Sequence, residues 1–259
     1  MQTSSIPQPE ELNQNKLIFV GQPHSSLQLE QRIYKYALLG LLISAMLFLL
    51  LGTYTDIDLR IEDYYYNPQL HDFPWRNSWF AFTFAHVWVK QLLVNAGLIM
   101  MGVVIVDLLY PLGFISAFVR HRLRLVVLAS MLVPFAIRTT KKYSVLHCPW
   151  DVDRYGGFAP FIRLLDHVPE NMRPGHCFPT GHASTALWLA AFAVFWLPHA
   201  PKKALAMFCA GLGMGFCLGW TQQMRGAHFI THTLWAMWVA SLVTLILVWM
   251  FSGKLFNDT

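Results

Sequence analysis

Charge is scarce in this chain. Only 13% of its 259 residues are Asp, Glu, Lys or Arg, while 55% are hydrophobic and the mean hydropathy is +0.42. Soluble domains carry roughly 25% charged residues, so composition alone excludes a soluble globular fold. A cleavable leader is also not expected. The first thirty-odd residues are polar, built from Gln, Ser, Pro and Glu with no apolar h-region, and residues 1–35 read as a polar cytoplasmic tail. Internal repeats are absent. So is any basic run interleaved with exposed aromatic stacking platforms. The net charge of +5 therefore points to membrane orientation and anionic lipids, and no nucleic-acid partner is expected.

Long apolar runs dominate what remains. A helix needs about 20 apolar residues to cross a bilayer core, and somewhat shorter spans are tolerated. Six candidates satisfy this: about Tyr36 to Tyr54, Val89 to Leu112, Leu123 to Ile137, Ala183 to Leu197, Ala204 to Trp220 and Thr233 to Phe251. The second carries Asp107 near its far end, and the third contains Pro134. The fifth has Gly211-x-Gly213-x-Gly215, which favours close helix packing without being a strict GxxxG. Two further cysteines, Cys209 and Cys217, are expected there as buried, inert thiols. The fold class is all-α: a polytopic six-helix transmembrane bundle over residues 36–251, with external loops forming the active site and a short cytoplasmic tail at 252–259.

Short loops rich in Lys and Arg stay on the cytoplasmic side. Arg120, Arg122 and Arg124 lie between spans two and three, Lys202 and Lys203 between four and five, and Lys254 after six. Both termini are then cytoplasmic, and every remaining polar segment of interest faces outward. The external loop after span one contains Asp63-Tyr-Tyr-Tyr-Asn-Pro68 and Phe73-Pro-Trp-Arg76. It reads as an interfacial anchor with Trp and Tyr at headgroup depth, in preference to a cover over a site. His86, Trp88 and Lys90 are read in the same way, as residues of the lipid interface.

Three polar segments interrupt the apolar pattern on that outer face. They are Lys141-x6-Cys148-Pro149, Phe178-Pro-Thr-Gly-His182 and Arg225-Gly-Ala-His228-Phe-x-x-His232. Phosphoryl transfer needs positive charge on the equatorial oxygens, a nucleophile and an acid for the leaving group. Gly181 just ahead of a helix offers backbone N–H groups to an anion, Thr180 adds a hydroxyl, and His182 falls in the first helical turn. His228 and His232 are four residues apart and share a helical face. Such a pair can also bind zinc, but no third ligand or HExxH glutamate accompanies it.

In register, these segments resemble the type 2 phosphatidic acid phosphatase superfamily, whose motifs are Lys-x6-Arg-Pro, Pro-Ser-Gly-His and Ser-Arg-x5-His-x3-Asp. The resemblance covers most of the chain and includes the six-span topology. It implies that His228 is the nucleophile forming a phosphohistidine and that His182 protonates the leaving oxygen. Lys141, Thr180 and Gly181 align with phosphate-holding residues, and the implied chemistry needs no metal or other cofactor. A phosphorylated lipid is the expected substrate, at the outer face of a bacterial inner membrane.

The departures from the first and third motifs matter. Cys148 stands where the first motif has Arg, Thr221-Gln222 where the third has Ser-Arg, and His232 where it has Asp. Arg225 and Arg154 are the candidates to restore the two lost cations. His232 can accept a hydrogen bond from the His228 ring, and Asp151 or Asp153, just after the first motif, is the candidate for the missing carboxylate. Cys148 and Cys177 both lie in an external loop, where an oxidising compartment favours a disulfide between them. Other functions left open are a lipid phosphotransferase, a non-catalytic lipid-phosphate binder, and a haem or metal protein using His86, His182, His228 and His232. Oligomeric state is not legible.

Overall fold

The computed structural model describes residues 23–256 and is all-α. The polar tail read over residues 1–35 lies mostly outside these described residues. The chain starts with a long helix, α1 (Pro23–Tyr54), and a short amphipathic one, α2 (Ile57–Tyr65). A loop then leads into α3 (Trp79–Leu109), which is π-helical over its first eleven residues, Trp79–Val89. Next come α4 (Ala117–Lys142), α5 (Ser184–Trp196), α6 (Pro201–Met224), α7 (Ile230–Met250) and the one-turn α8 (Ser252–Phe256).

Five of these helices, α1, α3, α4, α6 and α7, are long and apolar enough to cross a membrane. That is the pattern of a multi-pass membrane protein. Their outward faces carry Leu42, Ile43, Met46, Leu92, Ile99, Phe135 and Trp249, all well exposed. In water such a surface would drive association. Burial sorts the helices into layers. The most apolar window of α1 or of α3 is only 11% buried, against 33% in α4, α6 and α7, so α1 and α3 form the periphery.

The sixth expected span is the exception. α5 has 13 residues, α-helical over Ser184–Leu187 and 3-10 over Trp188–Trp196, and falls short of the usual span length. With a rise of about 2.0 Å per 3-10 residue it reaches roughly 24 Å, against about 30 Å of hydrocarbon. It is also the most enclosed helix. Ala183, Ala186, Leu187, Ala190, Ala191 and Val194 are fully buried. The surrounding helices shield it, so its own length does not have to match a bilayer.

Glycines explain how tightly it is held. The stripe on α6 is Gly211, Gly215 and Gly219, spaced by four, rather than the alternate glycines expected from the sequence. A Cβ at Gly211 would lie 2.3 Å from the Ala190 backbone, and one at Gly215 would lie 2.2 Å from the Leu187 side chain, both on α5; Gly213 meets nothing. The small-residue period of four brings α5 close at Gly211 and Gly215, while Gly219 makes room for Thr233 of α7. Cys209 and Cys217 point away from this contact and are exposed, contrary to the buried thiols expected.

One end of the bundle is tied by arginines. Asp107 of α3 accepts from Arg120 Nε at 2.8 Å and Arg124 Nη2 at 3.2 Å. Arg122 is 1% exposed and donates to the carbonyls of Val194 and Leu197 at 3.0 and 2.8 Å, fastening the far end of α5. Lys141 lies nineteen residues further along α4, a rise of roughly 28 Å. It therefore stands at the opposite end, about one hydrocarbon thickness away.

Candidate active site

At that opposite end the three polar segments meet. α4 delivers Lys141 on its last turn; Thr180, Gly181 and His182 form the turn into α5; Arg225 caps the C-terminus of α6; and His228 precedes α7, whose first turn holds His232. Lys141 passes over the glycine: a Cβ at Gly181 would touch its Nζ at 4.0 Å. Thr180 is fully buried, and its N–H donates to the His232 carbonyl at 3.1 Å, stitching the turn to α7. The His182 and His228 ring centroids are 6.4 Å apart, and those of His228 and His232 are 5.9 Å apart.

Several polar atoms here are buried without a hydrogen-bond partner: Thr180 Oγ1, His182 Nδ1 and His232 Nδ1. Each such group costs about 1–3 kcal/mol if left unsatisfied. Their convergence marks a place built to receive polar atoms. The electrostatics agree. Burial first, then His86, Lys90, Lys141 and Arg225, push the His182 imidazole down to about 3. Burial, Lys141 and the neighbouring histidines hold His228 well below its ordinary value. Both rings are thus neutral at pH 7. For His228 this leaves a nitrogen lone pair for attack. For His182 it means that an anion among these cations must offset their field before the ring takes a proton.

Arg225 is 6% exposed and held from three sides. Its Nε donates to the Arg76 carbonyl at 2.8 Å, its Nη1 donates to Gln222 Oε1 at 2.7 Å, and its guanidinium lies 5.0 Å from the Phe82 ring centre. His86 Nδ1 lies 3.1 Å from this Nη1 and 3.2 Å from Gln222 Oε1, which joins His86 to the same cluster. His86 in turn packs against His182 with ring centroids 4.1 Å apart and planes tilted by 33°. His86 is therefore part of the site and not of a lipid interface. The π-helical start of α3 places it there, and regular α periodicity does not anticipate such a widened turn.

The loop before α3 packs onto the site as well, in contrast to the simple anchor expected. Gly226, at φ +70°, lies under the Phe73 ring, where a Cβ would come within 2.3 Å. From α2, buried Asp58 accepts the Thr231 N–H at 3.0 Å and the Thr231 hydroxyl at 2.6 Å. It thereby caps α7, whose N-cap residue Phe229 has no side-chain acceptor. Burial pushes Asp58 up to about 6, against the pull of these hydrogen bonds. Its neighbour Glu62 is fully buried with both oxygens unpartnered, and burial, Asp58 and Asp63 raise it well above the usual carboxylate range. Sequence reasoning missed both acids, because nothing in the loop separates them from exposed Asp56 and Asp63.

Other expected positions are not brought to the histidines. Arg154 forms a two-pronged pair with Asp63, at 2.8 and 2.7 Å, on the exposed rim. Asp151 serves its own turn: its carbonyl accepts from Phe158 and Ala159, and its carboxylate bonds to none of the described residues. His228 does not hydrogen-bond to His232. Its Nδ1 instead lies 3.2 Å from Cys177 Sγ. Cys148 and Cys177 are joined in a disulfide, Cα–Cα 5.3 Å, which ties the first motif to the second. The two sulfurs and a His228 ring nitrogen lie within 4.8 Å of one another. Bonded to each other, the sulfurs are no thiolate pair, so the donor set does not suit zinc.

Residues 122–255, just over half of the chain, match the PAP2 superfamily. The protein belongs to this family. The match begins at the arginine that fastens α5 and takes in all three motif segments, leaving α1, α2 and α3 outside it. Membership implies a phosphatase acting on phosphorylated substrates. Neither a curated protein nor a solved structure matches the chain significantly.

Proposed function

We propose that this PAP2 protein is an integral membrane lipid phosphatase that works through a phosphohistidine on His228, without a metal or other cofactor. The observation that carries the reading is the convergence of Lys141, Arg225, Thr180 and Gly181 on two neutral histidines at one end of the bundle. In this reading Lys141, Arg225 and the Thr180–Gly181 turn hold the phosphoryl oxygens, and their charge offsets the charge that builds in the transition state. His228 Nε2 bonds to phosphorus as the bond to the lipid oxygen breaks. His182, protonated once the bound phosphate raises its affinity, gives that oxygen its proton. Water then attacks the phosphohistidine; His182 takes the water's proton, and phosphate leaves.

The six-span arrangement follows if α5 counts as a central, shielded crossing, which gives a phosphatase domain over residues 36–251. Lys and Arg at the Arg122 end support a cytoplasmic location for that end and for both termini. The site then opens at the outer face of a bacterial inner membrane. There the chain's partners are membrane lipids, one class of which, phosphorylated, is the substrate.

The test is phosphate release by detergent-purified protein, with EDTA present, from a panel of lipid mono- and diphosphates. Release that persists in EDTA, with acid-labile, base-stable phosphate on the protein that disappears in His228→Ala, is the expected result. Release by His228→Ala at the wild-type rate refutes the nucleophile.

A further inference from the structure

The mechanism above needs one His228 nitrogen free and the other protonated, and a phosphohistidine is usually supported by a carboxylate on the far nitrogen. Here no carboxylate among the described residues hydrogen-bonds to His228. Its Nδ1 faces the wall formed by Cys177, 3.2 Å from Sγ. In a disulfide that sulfur has no proton and can only accept. The contact therefore has one polarity: Nδ1–H donates to Sγ, and Nε2 keeps its lone pair.

We propose that Cys177, pinned by its disulfide to Cys148, is the positioning residue that fixes the tautomer of His228, in place of the carboxylate. This rests on the reading of His228 as nucleophile. Three observations support it. Cys177 is fully buried, so no water competes for Nδ1. Cys177 also leads directly into the turn whose Thr180 N–H donates to the His232 carbonyl at 3.1 Å, so its position is tied to both histidines. Cys177 is itself held on two sides: its N–H donates to the Leu146 carbonyl at 3.0 Å, and its sulfur is bonded to Cys148.

The chemistry has a consequence for environment. A two-electron reduction by an external dithiol, which leaves as its own disulfide, turns each sulfur into a thiol. Cys177 is then untethered, and its S–H becomes a donor. Next to Nδ1 a donor favours the opposite tautomer, with the proton on Nε2 and no lone pair for phosphorus. The oxidised protein is thus the competent form.

The test begins with the oxidised full-length protein carrying 15N-histidine, with His228 assigned by difference against His228→Gln. The expected shifts are those of a protonated Nδ1 and a bare Nε2; a proton on Nε2 overturns the proposal, whatever the activity. The second arm uses the Cys148→Ala/Cys177→Ala double variant. A roughly tenfold fall in kcat is expected, the worth of one lost hydrogen bond, with KM within twofold and the Nε2-protonated tautomer appearing in the spectrum. Wild-type kcat with an unchanged tautomer means that the disulfide is only structural and refutes the role. Failure of the phosphatase reading shows separately, as turnover by the oxidised wild type that does not require His228. If the double variant does not fold, the spectrum of the oxidised wild type still decides.

Discussion

Asp58→Asn should make this protein more stable at neutral pH and leave it unchanged in acid. The Asp58 carboxyl is buried under the first turn of α7, and its affinity for a proton rises from 3.8 to about 6. In the unfolded chain it ionises near pH 4. Between those values the folded state keeps a proton that the unfolded state has released. Stability is thus full below pH 4, falls as pH rises, and levels off above pH 6. Two pH units correspond to about 3 kcal/mol. Asparagine cannot ionise; its Oδ1 still accepts the Thr231 N–H, and its amide can donate to the Thr231 hydroxyl. The difference between variant and wild type should therefore be near zero at pH 4 and about 3 kcal/mol at pH 7. For a chain of this size that is roughly 6–12 °C in melting temperature. Tryptophan fluorescence melts in detergent measure it, and taking the difference between variants largely removes the separate titration of Glu62. Asp58→Ala behaves differently. It strands the Thr231 N–H and hydroxyl without partners, costs about 2–4 kcal/mol at pH 4, a deficit that shrinks by the same roughly 3 kcal/mol toward pH 7 because alanine does not ionise either, and lowers turnover by loosening the turn that holds His232. A melting difference between wild type and Asp58→Asn that stays constant from pH 4 to 7 would falsify the buried, proton-retaining carboxyl.

Glu62→Gln should likewise stabilise at pH 8 and not at pH 4, since an acid raised above its ordinary range loses stability as pH climbs past 4.5; equal gains at both pH values in the same melts would contradict this. The two arginines separate cleanly: Arg225→Ala should lower kcat/KM about a hundredfold, whereas Arg154→Ala, engaged with Asp63, should leave it within twofold, both read by phosphate release. Gly226→Ala forces a side chain into a left-handed backbone and the Phe73 ring, costing about 3 kcal/mol together; a melting point within a degree of wild type refutes that packing.

The five long apolar helices and the meeting of the three polar segments were legible because they rest on long-range composition and on motif spacing. Five apolar runs of ordinary span length stand out in any window. The three polar segments all fall at one end of the expected spans, and the Cys148–Cys177 pairing followed from compartment chemistry. Legibility failed where local geometry departs from regular periods. His86 reaches His182 only because α3 begins as a π-helix. The first-turn cap of α7 comes from Asp58, far away in sequence. The glycine stripe with period four was hidden by Gly213 between its members. Charge complementarity was misjudged in the same way. Arg154 looked like a spare cation beside a motif, but Asp63, 91 residues earlier, takes it.

α5 works as a depth gauge. Its far end is fastened by Arg122 to one rim of the bundle, and its reach of roughly 24 Å falls several ångströms short of the roughly 28 Å between Arg122 and Lys141 along α4. The His182 turn is thereby set at a fixed distance along the bundle from Arg122, next to α2, which is joined to α7 through Asp58 and Thr231, and to the Phe73 loop, which packs on Gly226. The length of α5, not the thickness of a bilayer, thus sets where along the bundle the His182 turn meets His228.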